Sequence, residues 1–182
     1  MIPAFDQHRL LPPFVGFAPM LGPRCSPYAC TMVELVERLC FTPRRHEIAR
    51  GLIQYRTELR AVGMTGRQWI CGSFVERREV EPNDVDVVTF HTLSADDEDR
   101  IDAARPELWR HQETKRRLLV DGYYVNLTTT SPEEVVEQAV YWSGMFGHQR
   151  NTLRWKGVLQ VSLSDDDTED VQAFARLKEP HR

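Results

Sequence analysis

The hydrophobic and polar positions change period several times along the chain, and each change marks an element. Residues 1–30 carry Pro3, Pro12, Pro13, Pro19, Pro23 and Pro27, so this stretch cannot be helical and has no strand period. Its apolar residues, Ile2, Phe5, Leu10, Leu11, Phe14 and Phe17, predict an extended arm packed on the body of the protein. "TMVELVERLC" predicts a helix over 31–40 with Thr31 at its cap. A second helix starts after Thr42, with Pro43 in its first turn, and stops at Gly63. Ile48, Leu52, Tyr55, Leu59 and Val62 form its apolar stripe.

Beyond Gly63 the period shortens. "QWICG" (68–72) reads as a strand, and "DVDVVTF" (84–90) as a second one that alternates Asp with Val. Residues 94–117 read as helical with an interruption at Pro106. "RRLLVDGYYVNLTT" (116–129) is rich in aromatic and β-branched residues and predicts a strand. Ser131-Pro132-Glu133-Glu134 is a capping box that opens a helix to Phe146. "WKGVLQVSL" (155–163) predicts a further strand. "DTEDVQAFARLK" predicts a last helix within 164–182, with Asp165–Asp167 leading into its positive end. This order predicts an α+β (mixed α/β) domain over 1–182, with a small mixed β-sheet flanked by helices.

Composition narrows the class. The chain has 182 residues, 41% hydrophobic and 27% charged, which suits one ordinary globular domain. A net charge of −4 argues against a sequence-independent grip on nucleic acid. No stretch approaches the roughly 20 apolar residues of a membrane helix, and the N-terminus lacks a signal-peptide layout. The expected location is cytoplasmic. Cys25, Cys30, Cys40 and Cys71 form no C-x-x-C pair, so reduced, mostly buried cysteines are the better reading than a zinc site.

The chemistry concentrates in "WICGSFVERREVEPNDVDVVTF". In a strand, residues two apart share a face, so Asp84 and Asp86 project together while Val85 and Val87 turn into the core. Paired carboxylates repel and raise each other's pKa. A hard divalent cation such as Mg²⁺ or Mn²⁺ relieves this through oxygen ligands. Gly72-Ser73 offers a close backbone approach and a hydroxyl to phosphate oxygens. A third carboxylate is expected at Asp121, with Asn126 and Glu76 as alternatives. Gly122 beside it suggests a bulge. Arg150 and Lys156, in "FGHQRNTLRWKG", and Arg77 and Arg78, in the motif loop, are expected to meet phosphate. His148 reads as part of a polar loop and Trp155 as core. Lys115-Arg116-Arg117 reads as the basic end of its helix. Of the tryptophans and of Tyr123 and Tyr124, most read as core, and one of them is available to stack on a base.

The pattern G-S-x(10)-D-x-D, bounded by apolar residues, resembles the signature of the DNA polymerase β-like nucleotidyltransferase superfamily, minimal nucleotidyltransferases in particular. The likeness covers about residues 68–125. It implies a nucleotidyltransferase-like fold, a nucleoside triphosphate held by Gly72 and Ser73, and metal ions held by Asp84, Asp86 and Asp121. The departure is at Glu76-Arg77, where those proteins often carry Arg-Gly. "MIPAFD", "LPPF", "TPRR", "CGSFVE", "PNDVDVV" and "YWSGMFGHQRNTLRWKGVLQVSL" resemble an uncharacterised bacterial nucleotidyltransferase-like family over nearly the whole chain. That second likeness implies no particular substrate.

The expected activity is transfer of a nucleoside monophosphate from a nucleoside triphosphate to a hydroxyl of an acceptor: a protein, a small molecule or an RNA end. The alternative is a binding or regulatory module that keeps the fold without catalysis, in a toxin–antitoxin or phage-defence setting as in some members of the superfamily. A metal-dependent phosphohydrolase on the same acid pair is a third reading, and the Gly-Ser spacing disfavours it.

Overall fold

The structure is a computed structural model and describes residues 1–16, 22 and 24–178. Phe17, Pro19 and Pro23 of the expected arm, and residues 179–182 of the expected C-terminal helix, lie outside the described residues. The elements in chain order are β1 (Tyr28–Ala29), α1 (Met32–Leu39), α2 (Pro43–Ala61), β2 (Gly66–Cys71), a 3₁₀ turn (Gly72–Val75), β3 (Val85–His91), α3 (Ala95–Ala104), a second 3₁₀ turn (Pro106–Leu108), α4 (His111–Leu118), β4 (Val120–Asn126), α5 (Pro132–Phe146), β5 (Leu159–Leu163) and α6 (Thr168–Arg176).

The helix starts follow the sequence closely because their caps are local. Thr31 and Ser131 each form a reciprocal capping box with the glutamate three residues on. Thr42 and Ser94 cap α2 and α3 through their hydroxyls. The strand ends are less local. The stretch 116–119, expected in a strand, belongs to α4 and its cap, because Leu119 takes a left-handed conformation that turns the chain at once into β4. Residues 155–158 lie outside β5, where Trp155 forms only an isolated bridge with His148. The arm, expected to have no strand, contributes the two-residue β1.

The five strands form one mixed sheet in the order β1-β5-β2-β3-β4. β1 runs parallel to β5, β5 and β3 run antiparallel to β2, and β3 runs parallel to β4. This is a small α+β domain with helices on both sheet faces. One face carries Ile70, Val85, Val87, Val120, Leu159 and Val161, buried under α1, α2 and α6. The opposite face carries Cys71, Val88, Phe90 and Val125, packed with Phe146 of α5 and Val158. The alternation in "DVDVV" therefore resolves as expected: Val85 and Val87 enter the main core, and the aspartates take the other side.

Ile48, Leu52, Tyr55 and Leu59 of α2 are buried as the stripe predicts. Arg56, on the same helix, is buried too. Its guanidinium bonds Asp170 of α6 at 2.8 Å, Gln68 of β2 at 2.6 Å and the Ser162 carbonyl at 2.7 Å. Arg60 joins Asp170 at 2.6 Å. This network ties α6 to the sheet across the core. Gly122 causes no bulge, because the β3–β4 register runs unbroken from Val85↔Val120 to His91↔Asn126. Its missing side chain leaves room for the Tyr55 hydroxyl.

Breaking a buried, hydrogen-bonded charge network by removing one partner leaves uncompensated charge. Asp170→Ala, which strands Arg56 and Arg60, is expected to lower unfolding free energy by about 3–5 kcal/mol in urea titrations monitored by circular dichroism.

Candidate functional site

The parallel pairing of β3 and β4 decides where the acids meet. Asp86 and Asp121 are direct register partners, near the start of each strand. Asp84 immediately precedes β3, two residues from Asp86 and on the same side. The chain leaves β2 at Cys71, the register partner of Asp86, so the Gly72–Val75 turn lands beside the acids. Gly72 adopts φ +71, in the left-handed region, and a Cβ there would collide with the Asp86 carboxylate. Both conditions require glycine. Gly72, Ser73, Asp84, Asp86 and Asp121 all line one polar cavity of about 290 Å³.

Lys115 meets the acids. Its ammonium lies 2.7 Å from Asp84 and 3.0 Å from Asp121. These bonds, Asp84 first, hold its pKa above the ordinary lysine value. His111, one turn earlier on α4, reaches the second oxygen of Asp121 through Nδ1 at 2.9 Å. Its ring stacks on Tyr123 with centroids 5.6 Å apart. Asp86 has no hydrogen bond or ion pair among the described residues. Burial first, then the charges of Asp84 and Asp121, push its carboxyl up to about 6, against the pull of Lys115 and Arg150.

The other expected residues divide. Arg150 is exposed, lines the cavity and makes no ion pair among the described residues. Lys156 also lines it but is buried, and its ammonium is committed to Glu76 and, at 2.8 Å, to the Gly72 carbonyl. It holds the Gly-Ser turn in place and offers no free charge to phosphate. Glu76 is buried and neutralised by Lys156, with Arg78 at 3.6 Å and Gln149 donating at 3.2 Å. This carboxylate is thus absorbed by a clamp joining the turn to the 147–156 segment.

Arg77 turns away: its guanidinium stacks 5.6 Å from the Phe41 ring, and Arg78 takes the place expected of it at the cavity. Asn126 is at the far end of β4, accepting from Thr128 and Thr129 and donating to the Leu93 carbonyl. It is no third acid. Arg154 bonds His8. Trp155, expected in the core, is 64% exposed. Lys115 and His111 were not expected at the site. Their spacing of four puts them on one helix face, and the tight turn at Leu119 delivers that face to Asp121.

The donor set fits Mg²⁺ in kind. Asp84, Asp86 and Asp121 offer carboxylate oxygens, and the Ser73 hydroxyl and the Gly72 backbone line the same cavity. Among the described residues, no three His, Cys, Asp or Glu side chains already stand in a metal-holding arrangement. The Lys115 ammonium is what joins Asp84 to Asp121 here.

The fold and cavity define a small α+β protein with a carboxylate cluster at the start of two parallel strands. Residues 3–162 match the model of a family of unknown function, DUF6932, and the chain belongs to that family. No curated protein matches the chain. No solved structure matches it either. Among the described residues, no helix is long and apolar enough to cross a membrane.

The elevated Asp86 carboxyl sets a pH dependence. Its folded value, about 6, lies above the ordinary aspartate value, so the native state binds the proton more tightly. The stability this gives is complete below about pH 4 and is lost as pH rises through about 6. Asp86→Asn is therefore expected to raise stability by about 1–3 kcal/mol at pH 7.5 and to change it little at pH 3.5, read from paired denaturation curves.

Proposed function

We propose that the protein is a metal-dependent nucleotidyltransferase acting on a nucleoside triphosphate and the hydroxyl of an acceptor. One observation carries the reading: Asp86 and Asp121 are register partners on adjacent parallel strands, with Asp84 beside them and the Gly72-Ser73 turn opposite. Phosphoryl chemistry asks for little else than held phosphates and charge compensation at the reacting oxygens.

Asp84, Asp86 and Asp121 would hold Mg²⁺ or Mn²⁺, which supplies electrophilic activation and neutralises charge on the phosphates. Ser73 and the Gly72–Ser73 backbone would bind the triphosphate tail, and Arg150 would pair with it from the opposite wall. The acceptor oxygen attacks the α-phosphorus and forms the new P–O bond. The bond between the α-phosphorus and its bridging oxygen breaks, and pyrophosphate leaves with the electron pair. The acceptor proton passes to Asp121. His111, whose side chain is 48% exposed, gives it a path toward solvent.

A second reading has its own observation. The Lys115 ammonium bridges Asp84 and Asp121 from within and offsets part of their charge. A module that binds nucleotide or a protein partner without catalysis would keep such a bridge permanently. In the enzyme, Lys115 would have to release Asp84 and Asp121 for them to hold a cation.

Two measurements test this. Wild-type protein, each α-labelled nucleoside triphosphate, Mg²⁺ or Mn²⁺ and a bacterial extract are expected to yield a labelled product, and Asp84→Asn/Asp86→Asn none. Absence of label with the wild type, while metal-dependent nucleotide binding persists, favours the module. Separately, Lys115→Met is expected to tighten Mn²⁺ binding on the order of tenfold, by electron paramagnetic resonance titration, because it removes the competing cation. Unchanged Mn²⁺ affinity would place the metal elsewhere.

A further inference from the structure

A second cavity opens on the same sheet face as the acids, and its chemistry differs. Its volume is about 430 Å³, within the roughly 300–1,000 Å³ of small-molecule sites. Trp69, Trp142 and Trp155 converge on it, with Phe14 and Pro27 from the arm. Ser26 and Ser143 provide hydroxyls at its wall. Trp155 is 64% exposed, and its ring lies 4.1 Å from that of His148. An exposed indole forgoes a large burial gain. The Trp142 indole N–H is buried and has no acceptor among the described residues.

The two cavities share a wall. The 147–156 segment is closed by hydrogen bonds from Gln149 N to Arg154 O at 2.9 Å and from Lys156 N to Gly147 O at 2.8 Å. His148, Gln149 and Arg150 line the acid cavity, Gly147 and Trp155 line the aromatic one, and Lys156 lines both. Gln149 and Lys156 fasten this wall to Glu76 behind the Gly-Ser turn. One ligand or two adjoining ligands can thus present a charged group on one side and a flat apolar group on the other.

We infer that the tryptophan-lined cavity is a binding site for a planar aromatic group, brought by the base of the nucleotide or by an aromatic acceptor. That the group belongs to a substrate of the acid cavity rests on the preceding reading; the pocket itself does not.

The test titrates wild type, Trp155→Ala and Ser143→Phe with ATP, inorganic tripolyphosphate, adenosine and N-acetyltyrosinamide. ATP and tripolyphosphate are added with Mg²⁺, and binding is followed by calorimetry. Trp155 and Ser143 are exposed, so both variants are expected to fold, which circular dichroism checks. Losing a stacking partner is expected to weaken the aromatic probe about tenfold, while tripolyphosphate binding is unchanged. Weakened ATP and adenosine assign the pocket to the base. Weakened N-acetyltyrosinamide alone assigns it to an acceptor. Variant-sensitive adenosine binding without tripolyphosphate or ATP binding keeps the pocket and overturns the triphosphate reading. Equal affinities of all three proteins for every aromatic probe overturn the pocket, even where tripolyphosphate binds.

Discussion

Repulsion among three carboxylates at one end of a sheet is the constraint around which this protein is built. Two unit charges about 4 Å apart oppose each other by about 4 kcal/mol at the effective dielectric near a protein surface. Asp84, Asp86 and Asp121 would push β3 and β4 apart where the strands begin. Lys115 joins Asp84 to Asp121 and offsets part of this. It can do so because Leu119 turns left-handed and lets α4 run directly into β4. The helix is seated in turn by Gly51 of α2, where a Cβ would collide with the Leu118 carbonyl. A glycine in a helix interior weakens that helix by roughly 0.5–1 kcal/mol. Here it permits the close α2–α4 contact that brings Lys115 to the acids.

A second pair of charges stabilises the opposite wall. Glu76 and Lys156 are both buried, and each would be strongly unfavourable alone. Together with Gln149 they connect the Gly72–Val75 turn to the 147–156 segment. Among the described residues, Asp86, whose carboxyl is pushed up, and Arg150 line the cavity without an ion pair of their own. A fold optimised only for stability would have little reason to retain an elevated carboxyl at a glycine-lined opening. Such perturbed groups cluster where ligands bind.

Much of this was legible in the sequence, and the limits have physical causes. Helix starts were readable because a cap involves residues three apart, as at Thr31 and Ser131. The acid pair was readable because strand alternation is local. The pairing of Asp86 with Asp121 was an expectation only, since the β3–β4 register is set by packing between distant segments. Lys115 reads as a helix-end charge and is one; that its ammonium also reaches two acids depends on the α4–β4 turn, which no local period marks. Arg77 and Arg78 were indistinguishable, since the irregular loop between the 3₁₀ turn and β3 has no period to say which one faces the acids. Trp155 was assigned to the core by its size, and no local signal marks an indole left at a cavity rim.

The same geometry bears on whether the site works or only binds. A permanently inert module would gain by converting Asp86 to a neutral residue, because burial and the neighbouring carboxylates outweigh the pull of Lys115 and Arg150 on its charge. Lys115 needs only Asp84 and Asp121 for its bridge. Asp86 is therefore not needed for the Lys115 bridge of the resting structure. On the proposed reading, Asp86 is there for a state in which further positive charge enters the cavity. A divalent cation meets that condition, and a lysine held by two exchangeable ion pairs is a group that can yield to it.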